Sequence, residues 1–472
     1  MPIQFGTDGW RAKMDEDFNV DNVALCANAV AQFILKHHGS DSPILVGYDT
    51  RLNSLAFAQV VAKVFSQSNL SSLVSSEPVP TPALAYNILS KGAVGGVVIT
   101  ASHNPPDWNG FKYKPEYGGS ASPEIIAQIE ANISEVQSKP LNWDQGTGKL
   151  DSNYISYFDP KADYYAHLET IVDLNAIKRS GINIAVDNMY GAGRNYLPSF
   201  LSESVGNIIS IRSQIDPSFP GLIQPEPISE NLVPLSEAVI ENGLDVGVAY
   251  DGDADRLGIV DENGDYIDSL KIFSLLALYM LEIRNLRGAL IKSITSSDML
   301  FRLGKLYSST VYETPVGFKY IGPKMLETNA LIGGEESGGY GFQNHIPERD
   351  GILSSLYFLS LMNAKQMYPS QLVDYLESIV GPHYYGRKDI KIHSNAVSKV
   401  KEWINPQKPI ANIGSLQVIA SDFIDGRRLR FQSGWVTVRL SGTEPLIRIY
   451  AESPDTDNID SILNKTVASL NI

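Results

Sequence analysis

Gly95-Gly96-Val97-Val98-Ile99-Thr100-Ala101-Ser102-His103-Asn104-Pro105-Pro106 opens on a short β-branched run and breaks into a polar loop stiffened by two prolines. A run of that length with glycine flanks predicts a buried strand, and in α/β proteins sites gather where strands end. Working outward, Pro43 to Gly47, Ile182 to Asp187 and Asp245 to Tyr250 have the same form, and the first leads into a helical pattern over Asn53 to Ser66. Strands alternating with helices imply α/β layers. Leu257 to Asp268 predicts a hairpin about Asn263-Gly264, since Asn-Gly is the strongest short turn signal. The C-terminal part differs: Trp435 to Leu440 and Leu446 to Tyr450 alternate on either side of a loop, and a helical tail follows over Asn458 to Leu470. Gln137 to Asp151 reads as a polar linker, proline-rich Asp216 to Pro234 as irregular chain, and Tyr384 to Asp389 as a hinge before the last domain. No sequence repeat and no low-complexity tract is visible.

The chain has 472 residues, of which 43% are hydrophobic and 19% charged, a globular composition. At roughly 150 residues per domain this suggests about three domains. The formal charge is 38 − 53 = −15, which argues against binding nucleic acid or an anionic membrane through bulk charge. Cys26 is the single cysteine, so no intrachain disulfide forms; it falls in the apolar-periodic segment Asn22 to Leu35 and is expected in the core. The N-terminus lacks a signal-peptide pattern, and the apolar segments Ile272 to Leu281 and Ile352 to Met362 are too short to span a bilayer. A cytoplasmic location is the expectation.

Four loops carry chemistry. Thr100 to Lys112 presents Ser102 at a strand end, with His103 and Lys112 as a base and a cation. A lone Ser-His pair also suits a tight turn with a capping serine, and its adjacency is not a triad, because neighbours in an extended loop point in different directions. Asp251-Gly252-Asp253-Ala254-Asp255-Arg256 places three carboxylates at alternate positions, able to converge on one hard cation. An EF-hand fails here: Arg256 stands where the calcium loop needs glycine, the preceding segment is strand-like, and Glu262 falls in the hairpin turn. Gly333-Gly334-Glu335-Glu336-Ser337-Gly338-Gly339 lets backbone approach a ligand, with Glu335 and Ser337 suited to sugar hydroxyls and Arg349 downstream adding a cation. Arg439-Leu440-Ser441-Gly442-Thr443 combines a guanidinium fork, two hydroxyls and exposed N–H groups, a phosphate clamp without a P-loop. Gly191-Ala192-Gly193-Arg194 lacks the third glycine of a dinucleotide fingerprint and reads as a turn. A nucleophile, a metal cage, a sugar reader and a phosphate clamp are the parts that phosphoryl transfer needs.

Together, in this order and spacing, the four loops resemble those of the α-D-phosphohexomutase superfamily, from Phe5-Gly6-Thr7-Asp8-Gly9-Trp10-Arg11 to the Arg439 loop. The resemblance implies an α/β fold of four domains around a central cleft: three related mixed α/β sheet domains and a smaller C-terminal α+β domain. The domains would run over 1–150 with the phosphoserine loop, 151–265 with the metal loop, 266–384 with the sugar loop and 385–472 with the phosphate loop. It implies that Ser102 carries the phosphate and that Asp251, Asp253 and Asp255 hold one Mg²⁺, completed by a phosphate oxygen on Ser102. Arg11, His103, Lys112 and Arg256 would serve the transferring group. Glu335, Ser337, Lys319 and Arg349 would contact the sugar phosphate, while Arg439, Ser441, Gly442 and Thr443 hold the phosphate that is not reacting.

The implied reaction is an intramolecular phosphotransfer through a hexose 1,6-bisphosphate, which also acts as activator, with the C-terminal domain closing over the substrate. Glu335-Glu336-Ser337-Gly338-Gly339 and Thr314-Pro315-Val316-Gly317-Phe318-Lys319 resemble the glucose-preferring branch, so a phosphoglucomutase is expected. The mannose/glucose branch usually has Met at the place of Glu336 and His at that of Gly339. Rival readings are a glucose-1,6-bisphosphate synthase, a phosphomannomutase and a non-catalytic sugar-phosphate-binding regulator. The last should have lost Ser102 or an aspartate, and all are present.

Overall fold

A computed structural model describes residues 3–6, 8–137, 153–201, 206–440 and 446–472. The linker expected over Gln137 to Asp151 therefore lies almost wholly outside the described residues. The anticipated strands form, Ile44–Tyr48, Gly95–Ile99, Ile184–Asp187 and Val246–Tyr250 among them, and all are buried. They do so because β-branched runs without a polar face are stable only when covered on both sides.

Three sheets repeat one arrangement. In the first, Ser72–Ser75, Ile44–Tyr48 and Gly95–Ile99 lie parallel in that order, and Trp108–Pro115 closes antiparallel on Gly95–Ile99. In the second the corresponding strands are Ile208–Ile211, Ile184–Asp187, Val246–Tyr250 and antiparallel Leu257–Val260. In the third they are Val311–Thr314, Leu290–Ser293, Ile332–Gly334 and antiparallel Tyr340–Phe342. The repeat escapes a comparison of residue identities because topology depends on where apolar runs and breaks fall, not on which apolar residue fills them. In each sheet the loop between the third parallel strand and its antiparallel partner carries a chemical motif: Ser102 in the first, Asp251 to Arg256 in the second, Glu335 to Gly339 in the third.

Strand pairing moves two expected boundaries. Ile155–Phe158 pairs with Ser72–Ser75, so the first sheet runs past residue 150. Tyr266–Ile267 pairs with Leu257–Val260, so the second runs past residue 265. The hinge expected at Tyr384 to Asp389 is corrected as well: Tyr384–Lys391 is an edge strand along Leu446–Ser453 in the last sheet. Its exposed side chains hide the alternation that would have marked it, and Gly381-Pro382-His383 makes the connection instead.

That last sheet is antiparallel throughout, in the order Tyr384–Lys391, Leu446–Ser453, Gly434–Leu440, Arg427–Phe431, Ala420–Asp422. Its period-two pattern gives it two unlike faces. Val436, Val438, Ile447, Ile449 and Ala451 form a core under the Thr456–Leu470 helix. The register puts Arg428, Arg430, Arg439, Arg448, Arg387 and Glu452 on the other face. Cys26 is buried in the Val20–His37 helix, as expected. Among the described residues no helix is long and apolar enough to cross a membrane.

Candidate active site

Ser102 is buried and adopts φ +51°, in the left-handed region where a residue bearing a Cβ is uncommon. Its Oγ donates to Asp251 Oδ2 at 2.7 Å and lies 3.3 Å from His103 Nδ1. The serine and aspartate loops meet because Gly252 has no side chain: a Cβ there would stand 2.3 Å from the Ser102 carbonyl oxygen. Gly191 supports the aspartate loop in the same way, with a Cβ position 2.7 Å from Gly252 O, and Ala192 N donates to that oxygen at 2.9 Å. The glycines of that turn thus serve close backbone packing rather than a dinucleotide.

Asp251, Asp253 and Asp255 are fully buried and bring one carboxylate oxygen each to within 4.8 Å of one another; they are the one such group among the described residues. Burial and the two neighbouring carboxylates raise the Asp251 carboxyl well above the usual range. Asp253 is held the other way, its burial outweighed by Lys112 and by the Thr81 hydroxyl, which donates to Oδ2 at 2.5 Å. Asp253 Oδ1 and both Asp255 oxygens are buried and accept no well-aligned hydrogen bond, although Arg349 ion-pairs with Asp255 Oδ2. Unsatisfied carboxylate oxygens in the interior are costly, and three carboxylates that each bring one oxygen to the same place fit a hard divalent cation with oxygen preference. Glu262 is elsewhere: it accepts from Ser370 N at 3.3 Å and from the Ser370 hydroxyl, so no EF-hand is formed.

Cations ring the triad. Lys112 Nζ lies 2.8 Å from Asp253, 2.7 Å from Asp8 and 3.6 Å from Asp255, and these carboxylates hold its ammonium protonated against burial. Arg349 reaches Asp8 at 2.7 Å and Asp255 at 2.9 Å. Arg256 ion-pairs with Glu226 at 2.5 Å, with its Nε 4.0 Å from Asp251. Arg11 donates to Asn104 Oδ1 at 2.8 Å. Burial, together with Arg256, Arg11, Lys112 and Arg349, pushes His103 well below the usual imidazole value, so it is neutral at pH 7.

Glu335 is buried and raised to about 7 by desolvation; its Oε1 accepts from Gly317 N at 2.8 Å. That bond ties the Gly333 to Gly339 loop to the Thr314 to Lys319 segment, on which half-buried Lys319 stands against the Tyr320 ring. Ser337 is half-buried, and Glu336 is fixed by Thr295 at 2.6 Å and Ser293 at 3.0 Å. Gly339 backs onto Arg349, where a Cβ would meet Cδ at 2.3 Å. Arg439 pairs with Asp425 at 3.0 Å, and the same Asp425 oxygen accepts from Val316 N at 3.1 Å. Ser441, Gly442 and Thr443 lie outside the described residues.

Sequence reasoning missed Asp8, Thr81, Lys114, Glu226 and Glu348. Lys114 contacts Asp8 at 2.9 Å and Glu348 at 2.5 Å. Its signal was the alternation with Lys112 along one strand, which sends both ammonium groups to the same face.

Comparison with known proteins matches the four family descriptions in chain order. These are phosphoglucomutase/phosphomannomutase alpha/beta/alpha domain I over residues 2–140, domain II over 162–264, domain III over 268–379 and the C-terminal domain over 399–469. A phosphoglucomutase/phosphomannomutase of Thermococcus kodakarensis is 33% identical over 95% of this chain and 94% of its own. A phosphoglucosamine/phosphogalactosamine mutase of Sulfurisphaera tokodaii is 30% identical over 98% and 97%. The crystal structure of a candidate phosphomannomutase from Thermus thermophilus superposes with a TM-score of 0.86 at 31% identity, covering 100% of both chains.

Proposed function

The chain belongs to the phosphoglucomutase/phosphomannomutase family and is a phosphohexomutase, and on that premise we propose that it interconverts glucose 1-phosphate and glucose 6-phosphate through phosphoserine 102. The observation that carries this reading is the Ser102 hydroxyl 2.7 Å from Asp251, at the rim of three buried carboxylates. Asp251, Asp253 and Asp255 would hold one Mg²⁺, with a phosphate oxygen on Ser102 as a further ligand. Bound there, the ion supplies charge stabilisation for the phosphate in transfer.

The chain's own residues do the rest. Lys112, Arg256, Arg11 and Arg349 surround the serine with fixed positive charge suited to the transferring group. Neutral His103 is fit to take the sugar hydroxyl proton, whereas charged Lys112 is not; Lys112 acts as a cation. Phosphoserine 102 gives its phosphate to a hexose monophosphate, the resulting 1,6-bisphosphate turns over in the cleft, and the other phosphate returns to Ser102. The same bisphosphate restores dephosphorylated enzyme, which makes it the activator. Arg439, Ser441, Gly442 and Thr443 hold the idle phosphate, with Lys319 beside it, while Glu335 and Ser337 read the sugar. In support of glucose stand Gly339, packed against the Arg349 side chain where a Cβ would meet Cδ at 2.3 Å, and Glu336, held by Thr295 at 2.6 Å.

The test is conversion of glucose 1-phosphate with Mg²⁺, run beside mannose 1-phosphate and glucosamine 1-phosphate, with free glucose 1,6-bisphosphate assayed. Fast turnover of the glucose ester with little free bisphosphate is expected. Preference for the mannose or amino sugar would overturn the substrate; accumulating bisphosphate from a sugar bisphosphate donor would make the protein a bisphosphate synthase. Ser102→Ala should reduce turnover to background in a folded protein and abolish labelling by a ³²P-bisphosphate. Labelling that survives would remove Ser102 as the carrier and favour another nucleophile.

A further inference from the structure

Arg51 touches none of the carboxylates of the triad, yet its buried guanidinium gathers the serine loop. Nη2 donates to Ser102 O and to Asn104 O, both at 2.6 Å. Nη1 donates to Pro105 O at 2.7 Å and to Trp108 O at 3.1 Å. Behind it, Nε faces Asp49 Oδ2 at 3.2 Å, and Asp49 Oδ1 accepts from Arg51 N at 2.9 Å and from Ser54 Oγ at 2.6 Å. The Phe219 ring covers the guanidinium, its centroid 5.2 Å from Cζ. The Ser102 carbonyl oxygen also packs close to Gly252, where a Cβ would stand at 2.3 Å from it and would not fit.

The Ser102 carbonyl is therefore held by the guanidinium in a residue whose φ of +51° is otherwise disfavoured. A backbone strained at a site persists only where its surroundings over-determine it. Releasing the carbonyl would let Ser102 relax toward an ordinary conformation and swing Oγ away from the carboxylates. A planar fork with five N–H groups can bind four carbonyls at once; a lysine ammonium, with three donors on one atom, cannot.

We propose that Arg51 is a positioning residue: by tying four carbonyls of the 102–108 loop together it holds Ser102 in the left-handed conformation that aims Oγ at the aspartates, and so sets the rate of phosphoryl transfer without touching substrate. The inference rests on Ser102 as the phosphate carrier. It concerns the rate of transfer and not the affinity for sugar, because the groups proposed to bind the sugar phosphate lie on other loops.

The experiment labels full-length wild-type, Arg51→Lys and Asp49→Asn enzymes with ³²P glucose 1,6-bisphosphate, then follows single-turnover transfer to glucose 1-phosphate, normalised to the labelled fraction. Misplacing a reacting atom by an ångström costs about 10²-fold, and a loss of that order is expected for Arg51→Lys, with KM moved less than about threefold. Asp49→Asn keeps the guanidinium but loosens its rear tether, so a smaller loss of the same kind is expected; it carries the test if Arg51→Lys does not fold. Transfer at the wild-type rate per labelled enzyme, with only a lowered melting temperature, would overturn the proposal, as would a rise in KM matching the fall in rate. A wild-type enzyme that takes no label would instead overturn the phosphoserine reading and this inference with it.

Discussion

The wall of the cleft that carries Ser102 and the wall that carries Arg439 differ in what stands behind them. Behind the first, one apolar cluster joins all three α/β sheets, running from Leu45 and Val98 through Ile184 and Val248 to Leu290 and Ile332. Behind the second is a separate core confined to residues between Ile392 and Leu470. The contact between the two bodies includes a set of charged groups: Arg428 forks onto Glu313 with both bonds at 2.6 Å, Arg430 reaches Asp298 at 2.8 Å, and Glu452 accepts from Asp298 N at 2.9 Å. Apolar packing fixes position to fractions of an ångström, which phosphoryl transfer needs. A contact rich in polar groups is the kind across which domains move relative to one another, which suits a wall that admits and releases substrate.

The comparison breaks most visibly at the triad. Asp251→Asn and Asp253→Asn should each lower activity by about 10²–10³-fold, the usual scale for a preorganised charge at a transition state, and EDTA should abolish it. Their effects on metal-free stability should have opposite signs. The raised Asp251 carboxyl binds its proton more tightly folded than unfolded, so its charge disfavours the fold at neutral pH, and Asp251→Asn should raise the melting temperature. The depressed Asp253 carboxyl stabilises the fold at neutral pH and loses that contribution as pH falls, so Asp253→Asn should lower it. Calorimetry in EDTA reads both; shifts of the same sign would contradict the charge balance.

On the opposite wall, Arg439→Ala should raise KM about tenfold, the worth of one charge-assisted contact, with kcat within about threefold. An unchanged KM would remove Arg439 from the clamp. Between the two walls, Glu335 should make KM pH-dependent. With its carboxyl raised to about 7, it loses its negative charge as pH falls through neutrality, and weaker acceptance from sugar hydroxyls should raise KM several-fold between pH 8 and pH 6. Glu335→Gln should flatten the profile relative to the wild type; a profile that keeps its slope belongs to the substrate phosphate instead.

How far the sequence could be read follows the same division. The strands and the first three loops were legible because each packs its signal into contiguous residues, as in Gly95 to Pro106 or Asp251 to Arg256. The groups that tune them were not, because they act across the chain: Asp8 meets Arg349 over 341 positions, and Thr81 meets Asp253 over 172. Nothing local marks such a pair. Tyr384–Lys391 was misread for another reason: as an edge strand it exposes polar side chains and buries little, so its sequence resembles a connection. The sugar loop's anchor, Glu335 on Gly317 N, escapes sequence reasoning because the donor is backbone.

The smallest effect tests the interface itself. Arg428→Ala removes the fork on Glu313 and the bond to Asp422 at 2.8 Å, but leaves Lys292 Nζ 3.0 Å from the Glu313 carboxylate, so the more buried of the two partners keeps a cation. Glu313, held at about 2 by Arg428 and Lys292 together, should stay ionised on Lys292 alone. The loss is then about 1–2 kcal/mol, as for a charged hydrogen bond with a surviving alternative partner. If charged contacts couple the two bodies, that loss should separate the unfolding of the C-terminal domain from the rest as an earlier calorimetric transition. KM should rise two- to fivefold, because Arg439 would be held less firmly over the cleft. The rate of transfer from phosphorylated Ser102 should not change, because nothing behind that wall has been altered. A single undivided transition with KM unchanged would mean that the contact is dominated by packing after all, and that the two walls of the cleft are fixed in the same way.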